Sequence, residues 1–145
     1  MQIKFKKLTP NSVTPTKANT TDAGFDLVAT GWSVSDDYTY VEYKTGIAVE
    51  IPIGYVGYIF PRSSVSRVQQ LLCNSVAVID SGYRGEIMLR YRQTWRGAHF
   101  EPQLYKVGEK IGQLIIMPIP EIEFLEVEEL LESDRGSGGF GSTGK

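Results

Sequence analysis

A single cysteine and a single histidine stand among 145 residues. One thiol closes no disulfide within the chain, and Cys73 and His99 are too few for a Cys/His metal site. They are also too few for most nucleophilic schemes, and no Ser-His-Asp arrangement is in view. His99 has no acidic or thiol cluster beside it and reads as a loop residue. Cys73 lies in an apolar stretch and reads as a small buried hydrophobe. Cysteine this scarce points to a reducing compartment, the cytoplasm, or a host's cytoplasm if the chain is virus-encoded. Charge of one sign is also lacking: the net charge is −2. Bulk electrostatics therefore draw the chain to neither nucleic acid nor an anionic membrane. No apolar run is long enough for a membrane span, and Met1-Gln2-Ile3-Lys4-Phe5-Lys6 alternates unlike a signal peptide.

What is present fits one soluble globular domain, with 41% hydrophobic and 22% charged residues. The dominant hydrophobic period is two. Ile3, Phe5 and Leu8 begin it, and residues 45–51, 54–60, 76–79, 86–92, 110–119 and 122–127 read as strands. Pro52-Ile53-Gly54, Asp80-Ser81-Gly82, Trp95-Arg96-Gly97, Val107-Gly108 and Pro118-Ile119-Pro120 punctuate them. Residues 63–72 carry Val65, Val68, Leu71 and Leu72 at helical spacing, with Ser63 or Ser64 as cap. Many short strands at regular turn spacing predict an all-β sandwich or barrel, such as a jelly roll. The composition changes near Asp134, after Glu126, Glu128, Glu129 and Glu132, which read as a solvated face. The compact domain is placed at residues 1–134, followed by a Gly-rich arm at 135–145.

Five segments could carry chemistry, each with a plainer reading beside it. Ala23-Gly24-Phe25-Asp26-Leu27 puts a carboxylate after a Gly turn, where it could hold Mg²⁺ through water, or serve only the turn. Pro61-Arg62-Ser63-Ser64 places a guanidinium and two hydroxyls at a strand-to-helix junction, suited to an anion or to capping. In residues 74–86 a buried, apolar strand, with Val76 and Val78, is expected to end at Asp80. Partial desolvation there would suit a general base, although Asp-Ser-Gly is also good hairpin chemistry. Asn74 in the same segment can both donate to and accept from a base edge. Gln113 is a polar side chain inside a strongly apolar strand and needs a partner.

The fifth segment is Arg135-Gly136-Ser137-Gly138-Gly139-Phe140-Gly141-Ser142-Thr143-Gly144-Lys145. Five glycines leave backbone N–H groups free to approach an anion. Arg135 offers a planar fork for phosphate, Ser142 and Thr143 add hydroxyls, and Phe140 is a lone aromatic. Composition alone also fits a flexible linker.

In this order, the five segments resemble the motifs of the trimeric dUTPases, and the resemblance spans almost the whole chain. It implies a jelly-roll subunit, a homotrimer, and three intersubunit sites, each closed by a neighbour's arm. The implied reaction is Mg²⁺-assisted hydrolysis of dUTP to dUMP and pyrophosphate, which limits uracil incorporation into DNA and supplies dUMP. On that resemblance Asp80 activates the water that attacks the α-phosphorus, and Tyr83 packs on the deoxyribose. Asn74 reads uracil, while Arg62, Ser63, Ser64 and Gln113 hold the phosphates. Asp26 acts on the metal side through water. Phe140 stacks on the base, and Arg135, Gly141, Ser142 and Thr143 close over the γ-phosphate.

The pattern departs from the family at Ser64 and Ala77, where Gly is usual, and at Gly112, where Ala is usual. Residues 93–105 form a longer connection than the family's hairpin, a surface loop or a contact for a protein partner. Two rivals are weighed: a dCTP deaminase of the same fold, and a nucleotide-sensing or partner-binding module. The deaminases carry a catalytic Glu ten residues after the motif Asp. Here that position is Arg90, and the tail also favours dUTP hydrolysis.

Overall fold

The structure, a computed structural model, describes residues 1–94 and 104–139. Ten strands and one helical turn are formed: β1 Lys4–Lys7, β2 Phe25–Val28, β3 Gly31–Val34, β4 Val41–Lys44, β5 Ile47–Glu50, β6 Tyr55–Phe60, α1 Val65–Val68, β7 Gln70–Leu72, β8 Ala77–Ile79, β9 Met88–Gln93 and β10 Lys110–Pro118. They make two four-stranded sheets, ordered β2-β10-β6-β8 and β3-β4-β9-β7, plus the pair β1-β5. All pairings are antiparallel. The all-β, jelly-roll expectation holds.

Alternation explains the two-layer packing. In β4 and β9 every second residue is buried, so Val41, Tyr43, Leu89 and Tyr91 face inward while Glu42, Lys44, Arg90 and Arg92 face out. From the other sheet Leu27, Ile59, Ile111 and Leu114 complete one continuous core. Tyr43, Tyr91 and Tyr105 pack edge-on or tilted at 5.6–5.9 Å between ring centres. Two of their polar tips have partners: Tyr91 donates to the Ile111 carbonyl at 2.5 Å, and the Tyr43 hydroxyl accepts from Gln70 at 3.1 Å. Gly112 lets β10 pass close to this layer, since a β-carbon there would lie 2.5 Å from Leu89 Cδ2 and 3.2 Å from the Phe60 carbonyl. A side chain at position 112 would therefore have to displace Leu89.

Four expectations are corrected. The helix over 63–72 is a single turn, because Gln69 turns left-handed (φ 49°) and the chain enters β7. Residues 122–127 form no strand: nothing among the described residues pairs with them, and Phe124 is 97% exposed. Cys73 is exposed rather than buried. The strand before Asp80 is not buried either, since β8 has only β6 as neighbour and Val78 is 56% exposed. Strands β2, β3, β4 and β7 were not read from the sequence; the first three are four residues long and β7 three, too short for a periodic signal.

Beyond β10 the last hydrogen bond to the body among the described residues is Ile119 N–H donating to the Gly54 carbonyl at 2.9 Å. From residue 119 to 137 every residue is exposed, including Ile122, Leu125, Leu130 and Leu131.

Candidate active site

Two clusters of candidate residues form, and they line separate cavities. The first begins at the centre of the sheet β2-β10-β6. Register puts Gln113 opposite Asp26 on one side and Phe60 on the other, so three strands lie in line. Two residues beyond Phe60, Arg62 returns to Asp26, its Nε 2.9 Å from Oδ1. Lys110 takes the other oxygen at 2.7 Å. Gln113, the polar residue in an apolar strand, finds its partner in the Pro61 carbonyl at 3.2 Å and so fixes the chain just before Arg62. Asp26 is nearly buried, its side chain 11% exposed, while Arg62 and Lys110 stay 34% and 41% exposed. One carboxylate thus orients two cations and leaves a net positive charge facing water. Arg62, Ser64, Arg67, Tyr105, Glu109 and Lys110 line a cavity of about 380 Å³ there. Three cations against one carboxylate on its wall suit an anion.

The second cluster lies where β8 ends. Asn74, Asp80 and Tyr83 line a cavity of about 430 Å³ with Cys73, Ala77, Glu86, Met88 and Arg90. A turn closes behind Asp80, the Tyr83 N–H donating to its carbonyl at 3.0 Å. The Tyr83 hydroxyl donates to the Glu86 carbonyl at 2.9 Å, folding the ring over Gly85. A β-carbon at Gly85 would collide with the phenol itself, so glycine is what lets the ring lie there. Ser75, beside Asn74, adopts φ 59°, an uncommon conformation for a residue with a side chain. At the far wall Arg90 Nε meets Glu42 at 2.8 Å and lies 4.8 Å over the Tyr40 ring. The Glu42 hydrogen bond, with the Tyr40 and Glu42 charges, holds its guanidinium charged.

No residue is shared by the two cavities. Asp80 is exposed, so the desolvation expected of it is not supplied within one chain. Ser63 is exposed at the first cluster's rim. Arg135 lies on neither cavity; its Nε donates to the Gly138 carbonyl at 2.9 Å. Phe140, Gly141, Ser142 and Thr143, like His99 and most of the 93–105 loop, lie outside the described residues. Lys110 and Tyr105 were not singled out from sequence. The Gly108-Glu109-Lys110 turn was in view, but which carboxylate it would reach depends on strand pairing.

Each oxygen of Asp26 already holds a cation, and among the described residues no three His, Cys, Asp or Glu gather as a metal cage. Such a donor set suits an ion that keeps most of its waters and takes its other ligands from a bound polyanion.

The dUTPase family model matches residues 11–144. The deoxyuridine 5′-triphosphate nucleotidohydrolase of Tropheryma whipplei (strain Twist) is 41% identical over 133 residues, covering 91% of this chain and 89% of that one. That of Nautilia profundicola is 38% identical over 146 residues, covering 100% of both. Among solved structures, the dUTPase of Staphylococcus bacteriophage 80alpha with dUpNHpp superposes at a TM-score of 0.84, with 31% identity and 99% of each chain covered. A mutant dUTPase of phage phi11 of S. aureus, solved with a structural Mg(II) ion, superposes at 0.75, with 26% identity, 89% of this chain and 98% of that one covered.

Proposed function

This chain belongs to the dUTPase family, and from that premise we propose how its residues perform the reaction. It hydrolyses dUTP to dUMP and pyrophosphate, with Mg²⁺ as cofactor. The substrate carries about four negative charges near neutral pH, so positioning and charge stabilisation do most of the work. When bound, Mg²⁺ offsets phosphate charge. The substrate phosphates would be its main ligands, and Asp26 is the residue of this chain that would act on it, through water. Arg62, Ser63 and Ser64 hold the phosphate chain, and Gln113 holds their loop in place. Asn74 reads the base edge, and Tyr83 packs against the sugar. Asp80 accepts the proton of the water that attacks the α-phosphorus. Residues 135–145, with Arg135, Phe140, Gly141, Ser142 and Thr143, close over base and γ-phosphate, and residues 1–134 form the folded domain.

The observation that carries this reading is the separation of the two clusters. Base-and-water residues line one cavity and phosphate residues another. A homotrimer that sets one chain's Asp80 cavity against a neighbour's Arg62 cavity makes a whole site, and it supplies the desolvation Asp80 lacks alone. The exposed apolar stretch after β10 fits such a contact. Residues 93–105 remain a candidate contact for a protein partner. Among the described residues no helix is long and apolar enough to cross a membrane; the cytoplasm is the proposed location, and neither nucleic acid nor membrane is a proposed partner. Deamination of dCTP is disfavoured because the position ten after Asp80 holds Arg90, neutralised by Glu42.

Pyrophosphate release from dUTP, UTP, dTTP and dCTP, with and without Mg²⁺, tests the activity, and sedimentation tests the trimer. Release from dUTP far above the others, dependent on Mg²⁺, is expected. Ammonia from dCTP at a comparable rate would overturn the reading.

A further inference from the structure

Tyr105 lies under the phosphate cluster without a place in the scheme above. It is 4% exposed and wedged between Tyr43 and Tyr91. Its backbone N–H donates to the Tyr43 hydroxyl at 3.1 Å, which fixes where the ring begins. At the ring's other end the phenol oxygen is fully enclosed yet makes no well-formed hydrogen bond among the described residues. An enclosed hydroxyl without a partner forfeits the water it left, so its position calls for an explanation.

Ser64 lines the same cavity as Tyr105, and its hydroxyl is the nearest candidate partner on that wall. Ser64 and the Arg62 charge both favour the phenolate and so oppose the larger effect of burial, which raises the Tyr105 pKa. Ser64 precedes α1 in the cap position but makes no capping hydrogen bond with its side chain. Its hydroxyl is therefore not spent on the helix. Ser64, Tyr105, Arg62 and Lys110 share one cavity wall.

We propose that Tyr105 is a positioning residue for phosphate: its buried O–H donates to Ser64 Oγ, so that Ser64 turns its own proton toward the phosphate oxygen held by Arg62. A hydroxyl can accept one hydrogen bond and donate another, and each strengthens the other in a low-dielectric setting. Glycine at position 64 would leave the same phenol with nothing to meet. This inference rests on the reading of Arg62 and Ser64 as phosphate-holding residues.

The test compares Tyr105→Phe, Ser64→Gly, Ser64→Thr and the Tyr105→Phe/Ser64→Gly pair in the full chain. Steady-state hydrolysis of dUTP and calorimetric binding of inorganic tripolyphosphate are the readouts. Loss of one net hydrogen bond should raise KM about threefold to tenfold and weaken tripolyphosphate binding by a similar factor, with kcat little changed. The pair should be no worse than Ser64→Gly alone, and Ser64→Thr, which keeps the hydroxyl, should raise KM less and lose less tripolyphosphate binding than Ser64→Gly. Unchanged KM in Tyr105→Phe, or effects that multiply in the pair, would overturn the relay and leave Tyr105 as packing. If Tyr105→Phe does not fold, equal KM values for Ser64→Gly and Ser64→Thr overturn it instead. An unaltered protein that binds tripolyphosphate with this pattern but does not cleave dUTP would overturn the activity and not the relay.

Discussion

Replacing Asp26 by Asn separates two jobs that one carboxylate does. The side chain is nearly buried and holds Arg62 at 2.9 Å and Lys110 at 2.7 Å. Hydrogen bonds to charged groups contribute about 1.5–3 kcal/mol each when well shielded. Here both partners remain more than a third exposed, so water takes over much of what the carboxylate provided. The amide also keeps one acceptor. The expected cost is about 1–2 kcal/mol rather than the 3–5 kcal/mol of a broken, fully buried pair. At this chain length that lowers Tm by roughly 3–8 °C at fixed protein concentration.

The kinetic consequence differs in sign between two parameters. Loss of the carboxylate raises the local net charge by one, so a polyanion is attracted at least as strongly and KM should hold or fall. Arg62, no longer aimed, loses its geometry in the transition state, and kcat should drop by about tenfold or more. Thermal melts with and without substrate, together with steady-state pyrophosphate release, give both numbers. A rise in KM with unchanged kcat would refute the argument, because Asp26 would then be helping to bind substrate rather than aiming the cations.

Asp80→Asn should lower kcat by roughly 10²–10⁴ while dUTP binding, followed by calorimetry, stays near normal; normal turnover would remove Asp80 as base. Truncation after Asp134 should leave the far-UV spectrum and the oligomer unchanged but little dUTP turnover, and full activity would show the arm to be dispensable. Gly112→Ala should destabilise by about 1–3 kcal/mol in urea unfolding, less so when combined with Leu89→Val, because the clash is with Leu89 Cδ2; equal cost in both backgrounds would contradict that geometry. Burial raises the pKa of Tyr43, Tyr91 and Tyr105 above the ordinary value of 10.0. The unfolded chain releases those protons first, so stability is full below about pH 10 and is lost above it. A spectrophotometric titration in which all eight phenols ionise near pH 10 while the protein is still folded would show the ring cluster to be open to water.

The fold class was legible because the longer strands, β6, β9 and β10, carry a clear two-residue period and well-marked turns. The helical reading of residues 63–72 failed for a local reason. Val65 and Val68 do sit on one turn, but Gln69 turns left-handed and Gln70 buries its amide against Tyr43, which converts Leu71 and Leu72 to strand. The burial expected for Val76, Val78 and Cys73 failed for a larger one. Apolar type marks a residue that will be covered, without saying by which chain, and β8 has a free flank. That Arg62 and Ser64 share one cavity, and Asn74, Asp80 and Tyr83 another, agrees with their grouping by residue type and order, and their roles stay proposals. Lys110 and Tyr105 were not legible, because their roles follow from which strand lies beside which.

In the proposed homotrimer, the stretch after β10 would set how the molecule behaves on dilution. Phe124, Leu125, Leu130 and Leu131 are each at least 84% exposed in the single chain, with Glu121, Glu123, Glu126, Glu128, Glu129 and Glu132 interleaved. Those charges act as gatekeepers, keeping a nascent chain from pairing indiscriminately while its proper surface is still being made. Stability carried across a subunit boundary is drawn from mass action, so the midpoint of unfolding should climb with protein concentration. For a cell making little of the protein, the amount synthesised then sets not only how much enzyme there is but what fraction of it is enzyme at all.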